Sequence, residues 1–435
     1  MGSAYFHLEP SATCNGTVVV PGDKSISHRA VMLASLAEGE SEIIGFLPST
    51  DCEATLNAFQ NMGVQIERID DTHVRIQGVG LKGLRAPSNV LNMGNSGTAM
   101  RLMAGILSGQ SFSSTLVGDA SLSSRPMQRI QTPLKKMAAN IASEEGYIPP
   151  LVIQPSSKLV GIDYSLPIPS AQVKSCVLLA GLYAQGKTCV KENTSTRDHT
   201  ERMLQTFSYP IEVNHQSVCV EGGGKLIASK IEIPGDISSA AFLIVAALIS
   251  KNSTLTIRNV GINPTRDGVI QILRLMGADI LISNKRNMGM EPVGDLLIQS
   301  SELHGIEIPQ SLIANSIDEF PIIFIAAACA QGVTTLNGAE ELRVKESDRI
   351  AVMASGLQKL GISVYEKPDG LVITGGKIQG GEIDSGGDHR IAMAFAIASI
   401  QANAVITVRN TENVMTSFPN FVGTVSNLGL KVSQH

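Results

Sequence analysis

Six times along the chain, a cluster of small polar or charged residues runs into an apolar, alanine-rich segment with no polar face. These segments are VMLASLAEG (31–39), AMRLMAGILSG (99–109), CVLLAGLYAQG (176–186), AAFLIVAALIS (240–250), IIFIAAACAQG (322–332) and IAMAFAIASIQ (391–401). A helix that is apolar all round must be buried on every side. After each comes a Gly or polar pair and a short β-branched run that reads as a strand: SEIIGF, SSTLVG, KTCVKE, STLTIRNV, VTTLNG and AVITVRN. Amphipathic helices follow, among them DCEATLNAFQNMG (51–63), RDGVIQILRLMG (266–277) and KESDRIAVMASGLQKLG (345–361). The period of about 65–80 residues exceeds that of solenoid repeats, so each copy is a small α/β layer. Buried helices form the interiors, with sheets and amphipathic helices outside.

The repeats fall into two sets of three. VVVPGD (18–23) and IEIPGD (231–236) each lead from a β-branched run into the first apolar helix of a set. This duplication divides the chain into halves of about 21–233 and 234–435, with hinges at the two Pro-Gly turns, the expected chain crossings.

Polar residues stand where each apolar helix begins: Lys24, Ser25 and Arg29; Asn95 to Arg101; Ser170 to Lys174; Asp236 to Ser239; Asp318 and Glu319; Asp388 to Arg390. Helix N-termini carry unsatisfied N–H groups and partial positive charge, so they suit anions. Ordinary capping explains Ser, Asn and Asp at such places. It does not explain Lys24, Arg29, Arg101 and Arg390 entering helices that are otherwise buried. Cations at equivalent repeat positions call for a polyanion. Gly94 and Gly97 let the backbone approach a ligand closely, and SSRP (123–126) supplies Arg125. The run RVKESDR (343–349) sets Arg343, Lys345 and Arg349 around Glu346 and Asp348. Mixed charges of this kind commonly form a solvated helix start. With Asp318 in the equivalent repeat, they instead point to carboxylates for proton transfer among cations for phosphate and carboxylate groups. His28, His199 and His389 lack metal-type i,i+4 partners and read as hydrogen-bonding groups.

Composition narrows the class. The 435 residues are 43% apolar and 17% charged with net charge −5, an ordinary globular balance without the basic face that nucleic acid requires. With no Trp and 4% aromatics, base-stacking platforms are not expected. The longest apolar runs, about ten residues, are too short to span a bilayer, and MGSAYFHLEP lacks a basic n-region and an apolar h-region, so no secretory signal is expected. The six cysteines show no CxxC spacing, so neither disulfides nor zinc are expected, and the compartment expected is the cytoplasm. GLYAQGKT (181–188) matches the P-loop pattern letter for letter. That loop works only between a strand and a helix N-terminus. Here it lies at a helix-to-strand turn common to the repeats, with Gly186 expected as the helix C-cap.

GDKSISHR, GNSGTAMR, SAQVKS, TRDHTE, LRVKESDR and DHRIAM together resemble, over essentially the whole chain, the EPSP synthase family of enolpyruvyl transferases (3-phosphoshikimate 1-carboxyvinyltransferases). The resemblance implies an α/β fold of two domains, each of three βαβαββ-type units with buried apolar helices, an inside-out α/β barrel. It assigns residues 1–20 to the second domain with 234–435 and places the active site in the cleft between the domains. It implies transfer of the enolpyruvyl group of phosphoenolpyruvate to the 5-hydroxyl of 3-phosphoshikimate. The reaction releases phosphate, passes through a tetrahedral intermediate and needs no metal or organic cofactor. The family serves the shikimate pathway to chorismate and the aromatic amino acids.

By motif match, Lys24, Ser25, Arg29, Ser170, Gln172, Arg197, Asp318 and Lys345 would bind 3-phosphoshikimate. Lys24, Gly97, Arg125, Gln172, Arg349 and Arg390 would bind phosphoenolpyruvate. Asp318 would accept a proton, Glu346 donate one, and Lys24 also serve catalysis. The SAQVKS and TRDHTE forms resemble the branch that includes glyphosate-tolerant members. One position departs from the pattern: many members carry Lys where this chain has Thr416, a phosphoenolpyruvate contact that Lys345 could replace. Partners are expected to be these two small molecules, with no nucleic acid or membrane, and the chain to be a monomer. The alternatives are the sister transferase acting on UDP-N-acetylglucosamine, a P-loop kinase and a non-catalytic binding protein. The first needs a reactive Cys in the loop at 118–126, which holds none; the last would have lost the carboxylates that Asp318 and Glu346 supply.

Overall fold

Five of the six buried helices start at a side chain that caps them. Asp23, Ser96, Ser170, Asp236 and Asp388 each accept a hydrogen bond from a backbone N–H in the following turn. This satisfies donors that a helix start leaves orphaned. In the computed structural model, which describes residues 4–435 apart from 157 and 215, these helices are α1 (Lys24–Leu36), α2 (Gly97–Ser108), α3 (Ala171–Gly181), α4 (Ile237–Ile249) and α6 (His389–Ala398). Between the last two, α5 (Phe320–Cys329) follows Glu319 and has Pro321 in its first turn, where a missing N–H costs nothing. Every helix begins earlier than its apolar run, at 24 rather than 31 for α1 and at 171 rather than 176 for α3. The cap, not the hydrophobic run, fixes the start. Gln172 and Lys174 therefore sit inside the first turn of α3, and Arg29 in the second turn of α1.

The chain divides into an N-terminal unit, Gly22–Ile233 with Met288–Glu291, and a C-terminal unit made of the segment ending at Pro21, Pro234–Asn287 and Pro292–His435. The division adds the hairpin tip Met288–Glu291 to the passages at Pro21 and Ile233, so the two Pro-Gly turns are not the only crossings. Within the N-terminal unit, Glu291 Oε1 lies 2.7 Å from His199 Nδ1, both side chains buried. At the first turn, a side chain on Gly22 would lie 1.9 Å from the Gly45 carbonyl oxygen, so only glycine fits.

The three sheets of the N-terminal unit share one topology. In the first, Lys230–Glu232 pairs parallel with Glu38–Ile44, which pairs antiparallel with His73–Val79, and that in turn with Gln65–Asp70. The second orders Leu91–Asn92, Ser114–Val117, Leu151–Gln154 and Asn140–Ala142 in the same way. The third does so with Asp163–Ser165, Lys187–Lys191, Ser217–Glu221 and Ile211–Asn214. The C-terminal unit also has three sheets among the described residues. Tyr5–Glu9 lies between Ile406–Arg409 and Lys431–Gln434, and Gly16–Val19 edges Thr254–Gly261. The sheets remain separate and close into no barrel, with the apolar helices inside. Each unit has its own hydrophobic core; in α4 and α6 every residue is buried.

Two expectations are corrected. Cys189 and Cys219 are bonded to each other, whereas no disulfide was expected. The two stand directly opposite in the antiparallel pair Lys187–Lys191 and Ser217–Glu221, a register that cysteine spacing does not reveal. The placement in the cytoplasm thereby loses one of its supports. Gly186 is not a helix C-cap: α3 ends at Gly181 and Gly186, at φ 81°, belongs to the turn before the strand. Lys187 opens that strand and pairs with Glu212 on the surface, so the P-loop geometry is absent. Among the described residues, no helix is long and apolar enough to cross a membrane.

Candidate active site

In the N-terminal unit, polar side chains tie three helix starts together. His28 of α1 bonds Thr55 through Nδ1 (2.7 Å) and the α2 cap Ser96 through Nε2 (3.3 Å). Arg29 of α1 donates to Ser175 of α3 (2.7 Å), to Thr200 (2.7 Å) and to the Ser25 carbonyl (2.9 Å). Arg101 of α2 donates to Gln172 of α3 (2.7 Å), whose amide donates to Thr98 (3.0 Å). Burial pushes the His28 imidazole down to about 3, with Lys24 and Arg29 adding to the effect, so it is neutral. Lys24, the first residue of α1, lies 2.7 Å from Asp51.

Gly97 sits where two arginines converge. A Cβ there would lie 2.8 Å from Arg101 Nη1 and 3.4 Å from Arg125 Nη1. Arg125 is held by Asn95 (2.8 Å) and Ser121 (3.1 Å). Ser170 caps α3, two residues before Gln172. Arg197 precedes the helix His199–Thr206, which brings Thr200 to Arg29. Buried Lys174 anchors this segment through Glu192 (3.0 Å) and Glu201 (2.7 Å).

The C-terminal unit gathers carboxylates around arginines. Arg349, 1% exposed, donates through Nε to Asp388 (2.8 Å) and through Nη2 to Glu346 (2.6 Å), while Nη1 lies 3.5 Å from Asp318. Burial opposes its charge, yet Asp388, Glu346 and Asp318 more than offset that and hold it above arginine's ordinary range. Arg390 donates to the Asp318 carbonyl (3.1 Å), linking α6 to the start of α5. Lys345 lies 3.5 Å from Glu341. Thr416 donates to the Asn413 carbonyl (2.6 Å), and Asn413 donates to the Gly387 carbonyl (2.7 Å), beside the α6 cap.

The structure thus brings Lys24, Ser25, Arg29, Gly97, Arg125, Ser170 and Gln172 to the helix starts of one unit, with Arg197 on the segment next to them. It brings Asp318, Glu346, Arg349 and Arg390 together in the other. Lys345 is neighbour in sequence to Glu346 but pairs with Glu341. Sequence reasoning missed Asp51, Ser175 and Thr200, which hold the cations, Thr98, which accepts from Gln172, and Arg266 in the C-terminal unit. Ser175 and Thr200 carry no charge to mark them, and Thr200 lies outside the helix starts where the cations gather; Asp51 is charged and in the same repeat as Lys24, but 27 positions separate the two.

Buried cations at converging helix N-termini, with carboxylates fixed in the second cluster, define a protein that handles polyanionic small molecules and moves protons on them. The profile of the family described as EPSP synthase (3-phosphoshikimate 1-carboxyvinyltransferase) matches residues 8–425. The chain belongs to that family, and it is an enzyme of the shikimate pathway. It is 57% identical over 427 residues to the 3-phosphoshikimate 1-carboxyvinyltransferase of Methylococcus capsulatus, covering 98% of each chain. To that of Legionella pneumophila it is 54% identical over 430 residues, covering 99% of each. The EPSP synthase structure from Acinetobacter baumannii superposes with a TM-score of 0.89 at 49% identity, covering 99% of this chain and 100% of that one.

Proposed function

We propose that this chain carries out its family's reaction with the residues described above. It transfers the enolpyruvyl group of phosphoenolpyruvate to the 5-hydroxyl of 3-phosphoshikimate and releases phosphate. Residues of both units serve the one turnover. Lys24, Ser25, Arg29, Ser170, Gln172 and Arg197 bind 3-phosphoshikimate, and Asp318 and Lys345 meet its ring hydroxyls. Lys24, Gly97, Arg125, Gln172, Arg349 and Arg390 bind phosphoenolpyruvate.

Asp318 takes the proton of the 5-hydroxyl as its oxygen bonds to C2 of phosphoenolpyruvate, and Glu346 protonates the methylene carbon. The Glu346 carboxylate left by that step then takes a proton back from the new methyl group as phosphate leaves, which restores the double bond. Lys24, Arg125 and the arginines of the second cluster stabilise the negative charge as phosphate departs. The observation that carries this reading is Arg349, which fixes Glu346 at 2.6 Å and has Asp318 at 3.5 Å. Two carboxylates aligned by one buried cation suit a reaction that must both remove and add a proton.

The UDP-N-acetylglucosamine reading gains no support from the loop at 118–126, which offers Ser121 and Arg125 and no thiol. The proposed compartment is the cytoplasm and the proposed state a monomer, both on the sequence reading alone. The test is phosphate release by the purified protein, expected only when both phosphoenolpyruvate and 3-phosphoshikimate are present. Release with phosphoenolpyruvate alone, or with UDP-N-acetylglucosamine as acceptor, overturns the proposal.

A further inference from the structure

Glu319 follows Asp318 and stands at the start of α5 with its side chain fully buried. Its Oε1 faces cations on two sides, 3.7 Å from Arg390 Nη1 and 3.8 Å from Arg266 Nη2. The same oxygen accepts a hydrogen bond from Ser238 in the first turn of α4. Ser238 in turn accepts from Arg266 Nη2 at 2.7 Å, and Arg266 lies 3.5 Å from the α4 cap Asp236. The other oxygen, Oε2, is buried without a hydrogen-bond partner.

A buried carboxylate left partly unsatisfied is a poor device for stability alone, since desolvation offsets much of the Coulombic gain. Its geometry serves another purpose. Glu319 and the Asp318 carbonyl both engage Nη1 of Arg390, 8% exposed at the head of α6. Fixing that nitrogen sets which edge of the guanidinium turns towards a ligand. It also couples the rotation of Arg390 to the backbone that presents Asp318.

We propose that Glu319, braced by Ser238 and Arg266, is a positioning residue that aims Arg390 at the carboxylate or phosphate of phosphoenolpyruvate. This rests on the reading of Arg390 as a phosphoenolpyruvate ligand. Glu319 acts through Arg390 and touches no substrate itself. Its loss therefore weakens the enolpyruvyl donor selectively and leaves the acceptor, 3-phosphoshikimate, nearly untouched.

The test compares wild type, Glu319→Gln and Glu319→Asp in steady-state phosphate release. Gln keeps an acceptor for Ser238 but removes the charge facing both arginines. It is expected to raise the phosphoenolpyruvate KM about tenfold, with the 3-phosphoshikimate KM within about twofold and a smaller change in kcat. Asp retains the charge and is expected to recover most of the affinity. A residue with only a structural role would lower the melting temperature without splitting the two KM values, and that result overturns the proposal. Should Glu319→Gln fail to fold, Ser238→Ala removes a single brace and is expected to raise the phosphoenolpyruvate KM about threefold. Unchanged KM values in that variant overturn it as well. A wild type that releases no phosphate defeats the reading of the whole site, and an active wild type with no KM split defeats this inference alone.

Discussion

Arg29, in the second turn of α1, and Arg349, at the start of the amphipathic helix Arg349–Lys359, are both buried, yet their surroundings differ in kind. Arg29 donates to two hydroxyls and a backbone carbonyl. These neutral acceptors orient the guanidinium. Arg349 lies among Asp388, Glu346 and Asp318, and its charge is matched by the carboxylates it holds. The two units are thus furnished differently. One unit presents oriented positive charge, suited to binding phosphate and carboxylate groups. The other presents oriented carboxylates, suited to moving protons. The contrast predicts that loss of the carboxylates Asp318 and Glu346 damages turnover and that loss of Arg29 damages affinity.

The largest expected effect is in the second cluster. Glu346→Gln and Asp318→Asn keep the shape and remove the proton-transfer group, and each should lower kcat by on the order of 10²–10⁴ while substrate binding survives. Steady-state rates together with ligand titration check this; near-normal turnover by folded Glu346→Gln would remove it from its role.

In the first cluster, Arg29→Gln should act on affinity. Loss of a charged hydrogen-bonding partner is expected to raise the 3-phosphoshikimate KM by on the order of 10–100-fold, with a smaller effect on kcat. A kcat loss at unchanged KM would erase the distinction between the units.

His28 sharpens the comparison through pH. Its imidazole is pushed from 6.5 down to about 3, so between those values the unfolded chain binds more protons than the folded one. Stability is therefore unaffected above about pH 6.5 and falls as pH drops through the window, by at most ~1.4 kcal/mol per pH unit. Urea unfolding at pH 7 and pH 5 should show a larger loss for wild type than for His28→Gln. Equal losses would mean that the His28 link between α1 and α2 does not set the acid response.

The smallest effect is expected at Gly97. An added methyl meets the flexible ends of Arg101 and Arg125, which can shift by a few tenths of an ångström. Gly97→Ala should raise the phosphoenolpyruvate KM by about fivefold and weaken inhibition by glyphosate, for which the family resemblance implies the same pocket. Unchanged values for both would place Gly97 away from the donor.

Much of this was legible in the chain. The six runs of Ala, Leu and Ile located every buried helix, because a segment without a polar face has nowhere to go but the interior. The polar clusters ahead of them marked the helix starts at which the cations gather. The helix boundaries were less legible, since Asp23 and Ser170 begin their helices several residues before the hydrophobic signal does.

By itself, the sequence determined the repeat, the buried helices and the motifs of the family, because periodicity and spacing are properties of neighbouring residues. Only the tertiary structure decided which partner each charge takes. Arg29 meets Thr200 across 171 positions, Arg349 meets Asp388 across 39 and Cys189 meets Cys219 across 30. Those pairings depend on how three helix starts converge and on strand register. Hydrogen bonds and ion pairs act over a few ångströms, and the distance along the chain does not say which groups come that close.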